Sequence, residues 1–210
     1  MKQILCFGDS NTYGLIPGTT DRYAWAERWT GILNDAVAEK GYRVIEEGLC
    51  GRTTVFEDLF RKGRKGDEIL PILLETHAPV EMVILMLGTN DCKTVYGADA
   101  GVIGKGIETL VEQIRRKTPE TKILLISPIA LGAGVWEEGF DPEFNRQSVQ
   151  ISMQLPRVYG KIAEEKGTYF MAASQYAVAS DADREHLDRE GHQKLAGAVC
   201  RYLERILQAG

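Results

Sequence analysis

The sequence predicts an α/β chain, a three-layer α/β/α sandwich around a central, mostly five-stranded parallel sheet. Three observations carry that expectation. Apolar runs of strand length recur along the chain, longer segments of helical periodicity separate them, and most of the runs are close to continuously apolar. A strand that is apolar on both faces needs cover on both, and parallel neighbours need a crossover that passes back over the sheet. At 210 residues the chain can bury one substantial core, and residues 1–210 read as a single domain.

The elements follow in order. QILCFG at 3–8 is the first strand, and it ends on Gly8, Asp9 and Ser10, residues that favour neither strand nor helix. Either Asp9 or Ser10 caps the next helix there, or the turn holds the Ser10 hydroxyl up to a substrate. Trp25 to Ala38 has helical periodicity, with Trp25 and Trp29 four apart on one face and therefore expected in the core. RVIEEGL at 43–49 is the second strand. RKGRKGD at 61–67 is diluted by two glycines and runs into Asp67 and Glu68, so it reads as a solvated loop. An apparent helix ends at His77, and MVILMLG at 82–88 is the third strand. Helical periodicity over Ile103 to Lys117 leads to KILLISP at 122–128. Asn145 to Lys166 is the next helix, TYFMAA at 168–173 the fifth strand, and Glu190 to Leu207 the last helix.

Ligands of open parallel sheets sit outside the carboxyl ends of the strands, where the strand order reverses. The residues that follow the strands are therefore the candidates: Asp9, Ser10 and Asn11; Gly48, Cys50, Gly51 and Arg52; Thr89, Asn90 and Asp91; Ser127 and Pro128; and the polar stretch SDADREHLDREGH at 180–192.

Composition removes several function classes. A net charge of −5 disfavours nucleic acid, which needs clustered surplus cations. The cysteines at 6, 50, 92 and 200 form no CxxC pair and no dense pattern, so reduced thiols and no metal are expected. The apolar run in MKQILCFGDS is too short for a signal segment or a membrane span, which predicts a cytoplasmic protein without a membrane partner.

A serine becomes a nucleophile when a base takes its proton and a third group orients that base. Of three histidines, His77 reads as a helix-end residue and His192 as a packing or surface residue. His186 follows Asp183 by three positions in a broken polar segment, so Asp183 can take the Nδ1 proton and free Nε2 to act as base. A local surface contact or a turn explains the same spacing, and Asp181 is a rival orienter. Donors for a developing oxyanion are the backbone N–H groups of Ser10 and Gly51 and the side-chain amide of Asn90. Each also has a plainer reading: helix start, turn glycine, turn or cap asparagine.

Together these residues resemble the SGNH hydrolases, also called GDSL esterases and lipases. GDSN at 8–11 is similar to the family's first block, Gly51 in EGLCGRTT to its glycine block, Asn90 in GTND to its asparagine block, and DREH at 183–186 to its closing block. ILCFGDS, RWTGIL, VIEEGL, RTT and MLGTND resemble the bacterial arylesterase branch, whose best-known member also transfers acyl groups to alcohols. The resemblance implies a flavodoxin-like sheet, Ser10 as nucleophile, His186 as base and then acid, Asp183 as its orienter, and an oxyanion hole from Ser10, Gly51 and Asn90. It implies no cofactor, small acyl esters of aryl alcohols or sugars as substrates, and a homo-oligomer. Asn11 stands where the family name records leucine, which would make the wall beside the nucleophile more polar. The 129–146 segment, with Trp136 in a glycine-rich loop, is expected to line the substrate pocket.

Two other classes compete. A nucleotide- or flavin-binding module on the same sheet would want a GxGxxG or GxxxxGK loop, and neither occurs. A non-catalytic carbohydrate-binding protein would use Tyr23, Trp25, Trp29 and Trp136 as stacking platforms. GDSNT lacks the second glycine of the GxSxG elbow, which removes the α/β-hydrolase reading.

Overall fold

The computed structural model describes residues 1–208. Its sheet has five parallel strands, β1 (Lys2–Gly8), β2 (Tyr42–Gly48), β3 (Met82–Met86), β4 (Lys122–Ser127) and β5 (Tyr169–Ala172), in the order β2-β1-β3-β4-β5. The predicted strands are thus all present, shifted by one or two residues at their ends. The chain runs outward to β2 on one side of β1 and then resumes at β3 on the other, so the reversal that opens a binding crevice lies at the carboxyl end of β1.

Helices cover both faces: α1 (Ser10–Tyr13), α2 (Trp29–Ala38), α3 (Gly66–Thr76), α4 (Ala100–Lys117), α5 (Arg146–Lys166) and α6 (Arg189–Gln208). Alternate side chains of each strand divide between two cores. Leu5, Phe7, Val83 and Leu85 meet α3, α4 and α5, whereas Ile4, Cys6, Ile84 and Met86 meet α2 and α6. Caps set several starts: Asp99 accepts from the Val102 N–H at 2.9 Å, and Asn145 and Ser148 form a reciprocal box at the head of α5. No described helix is long and apolar enough to cross a membrane.

Two expectations need correction. The predicted helix from Trp25 is interrupted, because Arg28 is extended at φ −77° and ψ 144°, and only a short 3₁₀ turn over Trp25–Glu27 precedes α2. The two tryptophans therefore do not share a face: Trp29 is fully buried and Trp25 is 37% exposed. The basic run at 61–67 is not all loop either. Gly66 and Asp67 open α3, with their N–H groups on the Thr53 and Thr54 carbonyls.

Candidate active site

The turn that carries Ser10 is built by close approach. Asp9 caps α1 by accepting the Asn11 N–H at 3.0 Å, so Ser10 is the first helical residue, and Gly14 closes the single turn at φ +83°. A Cβ on Gly8 would collide with Thr12, and one on Gly48 with the Tyr13 backbone, so the two strand-end glycines let this turn sit directly on the sheet.

Across the crevice, His186 Nε2 lies 2.8 Å from Ser10 Oγ, and His186 Nδ1 lies 2.8 Å from Asp183 Oδ2. Asp183 also accepts three backbone N–H groups, from Gly18 at 3.0 Å, Glu185 at 3.0 Å and His186 at 2.9 Å. Burial works against its charge, but these bonds and the imidazole hold its carboxyl down at about 2. His186 is 7% exposed, and burial alone would lower its pKa. The Glu185 and Asp183 carboxylates outweigh that and raise it. Asp181, the rival orienter, is exposed.

Gly51 holds φ +81°, a left-handed conformation suited to glycine, and the Ser10 and Gly51 N–H groups have no acceptor among the described residues. Asn90 is 3% exposed and donates one amide hydrogen to the Arg52 carbonyl at 3.1 Å, which leaves it a second donor. Two charged residues that the sequence places at the strand ends, but to which it assigns no role, fix this rim. The Arg52 guanidinium donates to the Gly8 carbonyl at 2.8 Å and to the Glu47 carbonyl, joining the ends of β1 and β2. Burial lowers its pKa to about 10. Asp91 takes the Thr54 N–H at 3.0 Å and the Thr54 hydroxyl, and burial raises it to about 6. Both lie inside the glycine and asparagine blocks, which was the available signal. Arg61, from the presumed solvated run, reaches back over Gly51: a Cβ there would stand 2.8 Å from its guanidinium, whose Nε bonds Asp58 at 2.8 Å.

Asn11, expected to make the wall beside Ser10 more polar and to bind substrate, is buried. Its Oδ1 accepts the Leu187 N–H at 2.9 Å and its amide reaches the Glu185 carbonyl at 3.5 Å, so it struts the Ser10 turn against the His186 loop. Trp136 is half-buried against the core on the α4–α5 face. Its loop is tied to the same histidine loop by Arg184, a non-glycine residue at φ +62°. Gly132 N–H donates to the Arg184 carbonyl at 2.7 Å, and the guanidinium bonds the Gly134 carbonyl at 2.9 Å and Glu137 at 2.6 Å while stacking on Phe140. His77 caps α3 and meets Glu47 at 2.8 Å, and His192 is fully buried beside Trp29. Among the described residues no group of three or more His, Cys, Asp or Glu could hold a metal ion.

A family model of GDSL-like lipases and acylhydrolases matches residues 6–194. No curated protein sequence matches the chain. Among solved structures, a carbohydrate acetylesterase from Sinorhizobium meliloti is 32% identical with a TM-score of 0.91, over 98% of this chain and 100% of that one. An aryl esterase from M. smegmatis is 31% identical with a TM-score of 0.89, over 98% and 99% of the two chains. A lipolytic G-D-S-L protein from Veillonella parvula, 15% identical at a TM-score of 0.73 over 98% and 100%, shares the fold.

Proposed function

The chain belongs to the GDSL-like lipase/acylhydrolase family and is a carboxylic ester hydrolase, and from that premise we propose that it cleaves small acyl esters of aryl alcohols or sugars through an acyl-enzyme on Ser10. The observation that carries this reading is the unbroken relay from Ser10 Oγ to His186 Nε2 and from His186 Nδ1 to Asp183, each step 2.8 Å.

In the acylation half, Asp183 fixes the tautomer with hydrogen on Nδ1, His186 takes the Ser10 proton, and Oγ bonds to the carbonyl carbon. Charge then develops on the carbonyl oxygen. The Ser10 and Gly51 N–H groups and the Asn90 amide receive it, each such donor contributing about 10²- to 10³-fold in rate. Collapse breaks the bond to the alcohol oxygen, which leaves with the proton from His186. Water repeats the sequence in reverse roles and releases the acid, and an alcohol that arrives in its place accepts the acyl group instead. Trp136 forms part of the substrate wall in this reading. All four cysteines are free thiols, in keeping with a cytoplasmic protein, and a homo-oligomer is part of the same proposal.

The test is hydrolysis of 4-nitrophenyl acetate with labelling by a serine-directed phosphonate. Ser10→Ala loses both signals, and His186→Ala loses about 10⁴-fold or more in turnover. Full labelling of Ser10→Ala would sink the assignment.

A further inference from the structure

Glu185 is an acid of the site that the relay leaves unused. It is 7% exposed, and its Oε1 lies 3.7 Å from His186 Nε2, the ring nitrogen that faces Ser10. The two carboxylates of this loop thus flank one imidazole, Asp183 at Nδ1 and Glu185 at Nε2. Their surroundings differ sharply. Asp183 collects three backbone N–H groups, whereas no donor among the described residues hydrogen-bonds to the Glu185 carboxyl. Its oxygens are nevertheless absent from the sealed, partnerless atoms of the interior, so they keep an opening. A carboxyl stripped of water and given no donor is costly. Burial pushes Glu185 up to about 7, with His186 and Lys93 pulling it down and Asp141 and Asp183 pushing it further up.

The position of this vacant acceptor is specific. In the proposed reaction His186 Nε2 hands its proton to the leaving alcohol oxygen, which must come within about 3 Å of that nitrogen. An acceptor 3.7 Å from the same nitrogen therefore borders the alcohol half of the ester. The carbonyl oxygen is held instead by the Ser10, Gly51 and Asn90 donors. A hydroxyl on the carbon next to the one that bears the ester oxygen would meet Glu185 as the ester oxygen meets Nε2.

We infer that Glu185 is a specificity-determining residue for the alcohol half: its carboxyl accepts a hydrogen bond from a hydroxyl neighbouring the ester oxygen. The site accordingly favours monoesters of vicinal diols and polyols over esters of plain alcohols, and it rejects alcohol halves that carry a carboxylate at that place. The inference rests on the esterase reading above and adds to it the residue that reads the leaving group.

The experiment compares kcat/KM for ethylene glycol monoacetate, ethyl acetate and the acetyl ester of glycolate, with 4-nitrophenyl acetate as a reference that has no neighbouring hydroxyl. Above pH 7, where the Glu185 carboxyl is ionised, wild type prefers the glycol ester to ethyl acetate, and Glu185→Leu cuts that preference about tenfold or more, as loss of a hydrogen bond to a charged acceptor does. Glu185→Gln, which keeps the shape and one acceptor oxygen, retains part of the preference and gains on the anionic ester. The preference is a ratio of two esters within each variant, so a general change in turnover that acts through the His186 pKa cancels from it. An unchanged preference in both variants overturns the inference and leaves the esterase intact. Loss of reference activity in step with an intact preference overturns it too, by making Glu185 a support for His186. A wild type inert on every ester defeats the esterase reading and this inference with it.

Discussion

His192 should contribute a loss of stability in mild acid, and the size of that contribution follows from its surroundings. The ring is fully buried, its Nδ1 accepts the Trp29 N–H at 3.3 Å, and Tyr23 meets it edge-on at 5.2 Å. The hydrogen must then sit on Nε2, which has no partner. Burial lowers its pKa from 6.5 to about 4, Asp188 pulling upward while Arg28 and His186 push down. Above pH 6.5 both folded and unfolded chains hold it neutral. Between there and pH 4 the unfolded chain binds a proton that the native one refuses, so stability falls with pH, by about 2 kcal/mol between pH 7.5 and 5 and about 3 kcal/mol in full. Glu185, raised from 4.5 to about 7, acts in the opposite sense, because the native state binds the extra proton as pH falls. Asp91, raised from 3.8 to about 6, does likewise. Over pH 7.5 to 5 these two gains, about 2 and about 1 kcal/mol, exceed the His192 loss, so the wild-type profile hides it and only a difference exposes His192. His192→Asn keeps an acceptor for Trp29 and removes the titration. Urea unfolding at pH 7.5 and 5 should show the variant gaining about 2 kcal/mol relative to wild type on acidification. Any packing loss appears at both pH values and cancels. Equal pH slopes in the two proteins would refute the argument, while 4-nitrophenyl acetate turnover should survive the substitution.

Other expectations come from the same loop. The acid limb of kcat/KM should lie above the ordinary histidine value of 6.5, because Glu185 and Asp183 together outweigh the burial of His186. Asp183→Asn should move that limb down and cost about 10⁴-fold in kcat, and a limb unmoved by this change would exclude His186 as the base. Arg184 carries a backbone cost of about 1 kcal/mol at its positive φ. Arg184→Gly relieves that cost while losing the clasp on Gly134 and Glu137, whereas Arg184→Ala loses the clasp and keeps the cost. The alanine variant should unfold at lower urea than the glycine variant by about 1 kcal/mol, and equal midpoints would show that the φ angle is not strained.

Much of this architecture could be read from sequence because its signals are local. Near-continuous apolar runs such as MVILMLG identify strands buried on both faces, and their ends identify the rim. The start of α3 was hidden for a physical reason: RKGRKGD has loop composition, and Gly66 becomes helical only because its N–H finds the Thr53 carbonyl across the fold. Arg28 likewise breaks the Trp25 helix through tertiary bonds, its guanidinium meeting Glu46 at 2.5 Å. The Asn11 bonds are hidden from sequence for the same reason. Nothing within ten residues of it in sequence announces that its amide will be consumed by Glu185 and Leu187, more than 170 positions away.

The loop at 183–186 shows how far residue type falls short of residue role. Asp183 and Glu185 are both carboxylic acids beside one imidazole, and spacing alone let Asp181 compete with Asp183. What separates them is donor count. Three backbone N–H groups converge on Asp183, one of them from Gly18 on a distant loop, and together with the His186 imidazole, which contributes most, they keep its carboxyl charged throughout the working range. Glu185 shares the burial and receives none of these bonds, so its proton is held to about neutrality. One acid is thus committed to its histidine, and the other is left with an empty hydrogen-bonding position. Only the first can orient a base without a ligand present, and only the second has bonding capacity left for a substrate.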